Sequence, residues 1–133
     1  MKSNFYQIYL KLFSNKLLMH LFCQEPSNGN IEYKQYLKIL TRDKFERYST
    51  QLKYRIIEGN GKAIYIVGIT DSGSVYGIPQ DNLEKTIHIV SLLTNYINSY
   101  ISYILKCTYN KNKFLIFNIK SKFNIDNLSV ICK

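Results

Sequence analysis

The chain contains no Gly-Lys-Ser or Gly-Lys-Thr, so no G-x-x-x-x-G-K phosphate loop closes anywhere in its 133 residues. Cysteine is scarce. Cys23, Cys107 and Cys132 are odd in number, and none stands in C-x-x-C spacing or in ligand spacing with His20 or His88. That argues against a disulfide framework and a zinc site, and makes a reducing compartment the expectation. Ser72 and Ser74 flank Gly73, but no G-x-S-x-G elbow exists to activate a serine. No apolar run is long enough to span a bilayer. Residues 5–23 are rich in Phe, Tyr, Leu and Met, yet Lys11, Lys16 and His20 interrupt them and no small-residue cleavage site follows. A cytoplasmic protein with no membrane partner, no metal and no evident small-molecule substrate is expected.

What is abundant is apolar and aromatic. Hydrophobic residues make up 46% of the chain, with 12 Tyr and 7 Phe, enough for the core of one domain. The net charge is +9. Such a charge suits a nucleic-acid or ribosome partner. Lysine, asparagine, isoleucine and tyrosine are abundant together, however, as they are in AT-rich coding sequences, so both origins of the charge stay open at this stage.

Periodicity divides the chain. Phe5, Ile8, Tyr9, Leu12, Phe13, Met19 and Phe22 fall near helical spacing, which predicts an amphipathic helix over 1–23. Gln24-Glu-Pro-Ser-Asn-Gly-Asn30 has loop chemistry and is expected as a linker. An α+β module is expected over 31–121. Ile31 to Ile39 reads as a half-exposed strand. Thr41 or Asp43 then caps a helix to Glu58, with Phe45, Tyr48, Leu52 and Ile56 as its apolar stripe and Lys44, Arg47, Lys53 and Arg55 on other faces. Gly59-Asn-Gly61 ends it, with glycine suited to a left-handed cap. Lys62 to Thr70 reads as a buried strand in which Gly68 marks a bulge or a close backbone approach. Asp71-Ser-Gly73 predicts a hairpin turn and Val75-Tyr-Gly77-Ile78 the returning strand. Pro79-Gln-Asp81 opens a helix with Leu83, Ile87, Val90, Leu93, Tyr96 and Ile97 inward. A hairpin follows, Ile101–Thr108 and Lys113–Ser121, then a strand-like run, Leu128–Cys132. The expected fold is α+β: a mixed or antiparallel sheet of about five strands with helices mainly on one face, in the order α-β-α-β-β-α-β-β.

Several separated motifs stand in one consistent order: Asn30-Ile-Glu-Tyr-Lys34, Phe45-Glu46, Gln51-Leu-Lys-Tyr-Arg55, Glu58-Gly-Asn-Gly-Lys-Ala-Ile-Tyr65, Gly68-Ile-Thr-Asp71 and Gly77. In this the chain resembles the N-terminal region of the elongation-factor-like translational GTPases called GTP-binding proteins one and two, over residues 30–121. The resemblance implies a module that contacts RNA, the ribosome, a GTPase domain or another protein surface. In that family GTP and magnesium belong to the domain that follows, whose first strand leads into the phosphate loop. Residues 122–133 would be the stub of that strand, with Cys132 where the glycine loop would begin, so a truncated product or a stand-alone module is expected and no GTP-site residue is carried over.

A weaker similarity joins Ile31-Glu-Tyr-Lys34 and Ile66-Val-Gly-Ile-Thr-Asp-Ser-Gly73 to the Schlafen-core and AlbA-like domains, some of which cleave RNA. It would make Glu32, Glu58 and Asp71 candidate metal-holding carboxylates, although an aspartate at a hairpin turn has a structural reason of its own. The residues expected to touch nucleic acid are Lys106, Lys111, Lys113, Lys120 and Lys122, with Tyr109, Phe114 and Phe117 interleaved to stack bases. The bland counterpart is an edge hairpin shielded by lysines. With no phosphate loop, the chain is expected to show no stoichiometric GTP binding by calorimetry; saturable binding of one GTP per chain would contradict the reading of its glycines.

Overall fold

A computed structural model describes residues 23–38 and 40–123. The expected helix over 1–23 and the run 128–132 lie outside these residues, apart from Cys23. Within them the order is strand β1 (Ile31–Lys34), helix α1 (Arg42–Glu58), strand β2 (Lys62–Val67), a 3-10 turn (Gln80–Asn82), helix α2 (Leu83–Tyr96), and strands β3 (Ser99–Tyr109) and β4 (Asn112–Ser121). The sheet runs β1-β2-β4-β3. β1 and β2 are parallel and joined through α1, whereas β4 is antiparallel to both β2 and β3.

The α+β class and the mixed sheet agree with the periodicity; the count of about five strands does not. Val75 to Ile78 forms no strand. Only an isolated bridge pairs Ile69 with Val75. Beyond it the amides of Tyr76 and Gly77 both donate to the Gly68 carbonyl, and Ile78 donates to Lys113. Gly68 is the cause. It sits at φ 103, and a Cβ there would lie 2.9 Å from the Cβ of Phe114, so β2 bends away just as the returning segment arrives. β1 is also shorter than the nine residues its alternation suggested, because the chain leaves the ladder after Lys34.

α1 begins as its sequence dictates. The Thr41 side chain accepts the Lys44 amide and Asp43 occupies the first turn. The helix ends at Glu58, where the Gly59-Asn-Gly61 run predicts. Gly59 has φ −97, not a left-handed value, and the positive angles fall on Asn60 and Gly61. Gly59 is required by space instead: a Cβ there would meet the Lys62 carbonyl at 1.9 Å.

Both helices lie on one face. Leu52 and Ile56 of α1 and Val90 and Leu93 of α2 pack on Tyr65 and Val67 of β2 and on Leu115, Phe117 and Ile119 of β4. The alternate residues, Tyr33, Ile66, Leu105, Phe114 and Ile116, form a second cluster with Ile69 on the opposite face.

Arg55 departs most from its expected place on a solvated helix surface. It is buried, and its Nε donates to Glu32 Oε1 at 2.8 Å. Its Nη1 and Nη2 donate to the carbonyls of Gly29 and Pro26 at 3.1 and 2.7 Å. Lys34 Nζ lies 3.3 Å from the other Glu32 oxygen and donates to Gln51. One guanidinium thus ties α1, β1 and the segment before β1 together. Arg55→Met is expected to cost about 3–5 kcal/mol, because it leaves Glu32 buried beside only one remaining cation. Arg47→Met, on the exposed face, should cost within about 0.5 kcal/mol. Urea unfolding followed by circular dichroism distinguishes the two; equal midpoints would contradict this account.

Candidate nucleic-acid interface

The turn between β3 and β4 has two residues, Asn110 and Lys111, both with positive φ (49 and 68). This is the backbone of a type I′ hairpin, where the second position favours glycine. A lysine held there costs roughly 1–2 kcal/mol of backbone strain, and its side chain is presented at the hairpin tip. Against that tip lie the segment from Tyr76 to Gln80 and the segment following β1. Together they border an open cleft of about 800 Å³ lined by Tyr36, Lys38, Tyr76, Lys111, Asn112 and Lys113, together with Gln35 and Gln80. No carboxylate lines it.

Its side chains are arranged by neighbours. Lys113 Nζ donates to Gln80 Oε1 at 2.6 Å. Lys38 Nζ stands 5.1 Å from the centre of the Tyr36 ring, a cation–π distance, while the Tyr36 hydroxyl accepts from Asn82. Tyr76 is 55% exposed, yet its backbone is pinned by the bond to Gly68. The cleft lies at the carboxyl ends of β1 and β2, beside the 3-10 turn that precedes α2.

Of the residues the sequence offered for nucleic-acid contact, the fold gathers Lys111 and Lys113 here. Tyr109 is exposed at the same end of the hairpin. Lys106 is exposed farther down β3, opposite Leu115. Lys120 and Lys122 are at the far end: Lys120 pairs with Lys62 and Tyr100, and seven strand residues beyond Lys113 amount to about 23 Å. Phe114 and Phe117 are fully buried and cannot stack on bases. The aromatic rings that line the cleft are Tyr36 and Tyr76, which the sequence reading missed along with Lys38. Tyr36 and Lys38 were hidden in a segment read as strand, and Tyr76 in the returning strand that does not form.

The candidate carboxylates are separated by environment. Glu32 is held in the buried pair with Arg55. Glu58 is exposed, and its Oε1 accepts from the Tyr54 hydroxyl. Asp71 is exposed on the turn, where its backbone carbonyl accepts the Glu25 amide. Among the described residues no three His, Cys, Asp or Glu side chains are placed to hold a metal ion. Burial pushes the Glu25 carboxyl upward; the Tyr33 amide opposes this, and the charges of Glu32 and Asp71 add to it. No helix among the described residues is long and apolar enough to cross a membrane.

No protein-family model matches the chain, and no solved structure matches it. It is similar to GTP-binding protein 2 of Mus musculus and of Homo sapiens, with 39% identity over 67 residues, 48% of this chain. The matched stretch is 11% of each of those proteins, so the chain spans only a small part of their length. An uncharacterized protein of Acanthamoeba polyphaga mimivirus is 29% identical over 117 residues, covering 87% of this chain and 62% of the viral one.

Cys107 sits on the helix-free face among Leu105 and Phe114, and burial pushes its thiol up to about 12. The folded state therefore holds this proton more tightly than the unfolded chain. The stability that this contributes is complete below about pH 9 and is lost as pH rises toward 12. In a Cys132→Ser background at pH 8, a thiol reagent should modify the exposed Cys23 at least about tenfold faster than Cys107, since the thiolate is the reacting species. Comparable rates, read by mass spectrometry of the native protein, would contradict the burial of Cys107.

Proposed function

We propose that this chain is a non-catalytic RNA-contacting module, similar in sequence to part of a GTP-binding protein, that works in the cytoplasm beside a translation-associated GTPase domain or the ribosome. The observation that carries the RNA contact is the cleft at the β3–β4 turn. Three lysines and two partly exposed tyrosines share one concave surface on which no carboxylate stands. Lysines neutralise phosphates and release their counterions, and aromatic rings accept base faces. The association with a GTPase rests on the stretch shared with GTP-binding protein 2. It also rests on the motifs between Asn30 and Gly77 that resemble the region before a GTPase domain. Nothing in the cleft calls for GTP as its own ligand.

Binding of an unstructured RNA, measured at several salt concentrations, tests the reading. The logarithm of the binding constant should fall linearly with the logarithm of salt. Each of Lys38→Gln and Lys111→Gln should make the slope shallower by about 0.7. The double variant Lys120→Gln, Lys122→Gln, at the other end of the sheet, should leave the slope unchanged. RNA binding that is absent, or insensitive to salt and to the cleft lysines, would defeat the proposal.

A further inference from the structure

We infer that the cleft selects single-stranded RNA, holding one unpaired base against the ring of Tyr76 while Lys111 and Lys38 take the flanking phosphates. The inference rests on the RNA-contact reading and adds to it a ligand class that a basic surface alone would not specify. Lysines on a convex face serve duplex and single strand alike, because both present phosphates. An aromatic ring set among them does not, since base faces inside a duplex are covered by their neighbours.

Tyr76 meets the geometric needs of a base platform. The residue is over half exposed, but its main chain is fixed. The Tyr76 and Gly77 amides donate to Gly68 at 2.8 and 3.0 Å, and the Ile78 amide donates to Lys113 at 2.7 Å. A ring on a fixed backbone loses little freedom when a base covers it. Tyr36 is less suited, because Lys38 stands against its face and Asn82 occupies its hydroxyl. At about 800 Å³ the cleft is in the size range of small-ligand sites, room for about one or two nucleotides. The side-chain amides of Gln35 and Asn112 line the same space and offer both donors and acceptors to an exposed base edge. An acidic protein segment would satisfy the lysines but would leave the tyrosine face and these amides without a comparable partner.

Fluorescence anisotropy with a ten-nucleotide single-stranded RNA, and with a blunt RNA duplex of the same length, tests this. The single strand should bind at least about tenfold more tightly. Tyr76→Ala should weaken the single strand by about fivefold or more, a loss typical of one stacked base, and leave duplex binding unchanged. Tyr76→Phe should retain the wild-type affinity, because the ring face and not the hydroxyl is used. Tyr76 is exposed, so both variants should keep the urea midpoint of the parent, which separates the effect from misfolding. Two results would overturn the inference while leaving RNA contact intact: equal or tighter duplex binding, or no effect of Tyr76→Ala on the single strand. Failure to bind either RNA would remove the underlying reading as well.

Discussion

Arg55 reaches from the last turn of α1 into a place where water cannot follow, and most of the architecture around β1 is arranged to receive it. Glu32 supplies the countercharge and the carbonyls of Pro26 and Gly29 accept its remaining donors. Lys34 closes the cluster by bridging Glu32 and Gln51 beneath the Tyr48 ring, 4.0 Å from its centre. A buried guanidinium without such partners would be strongly unfavourable. Once they are in place, the same bonds fix the register of a strand only four residues long and hold the preceding segment against the domain. Ion pairing contributes geometry here more than net energy, since burying both charges offsets much of their attraction. The apolar contacts of Leu52 and Ile56 supply the rest.

The cluster also bears on chemistry. Glu32 is the carboxylate that a nuclease reading would need most, and it is committed to an arginine on one side and a lysine on the other. Glu58 and Asp71 face solvent with tasks at turns and loop contacts. The acids that look like a constellation along the chain are thus divided among three structural roles. The cations divide in the opposite sense: residues distant in sequence, Lys38 and Lys111, come to line one cleft.

Much of the fold was legible because it follows from local rules. The stripe of Phe45, Tyr48, Leu52 and Ile56, the Thr41 cap and the Asn110–Lys111 turn each carry their signal within a few residues. The failures have a shared physical origin in long-range contact. Arg55 has the spacing of a surface residue, and only the approach of β1 reveals its partner. Val75 to Ile78 has the composition of a strand, but Gly68 must come within contact of Phe114, some forty-five positions away, before the backbone turns off the ladder. Of the residues that line the cleft, the sequence offered Lys111 and Lys113. Tyr76 gave no signal, since its exposure depends on a strand that does not form. Phe114 and Phe117 gave a false one, because alternation on β4 buries both of its faces.

The parallel pairing of β1 with β2 has a kinetic side. β3 and β4 are neighbours in sequence joined by a two-residue turn, so their ladder closes a very small loop. β2 reaches β4 across the whole of α2 and β3, whereas β1 reaches β2 across α1 alone. The shortest strand, β1, stands at the edge of the sheet with β2 as its one partner strand, the kind of position where local opening costs least. Amide hydrogens of Ile31 to Lys34 would exchange ahead of those in β4. Each such opening would briefly release residues 23–30 together with the Arg55 cluster, making the amino-terminal edge a separate cooperative unit of the domain.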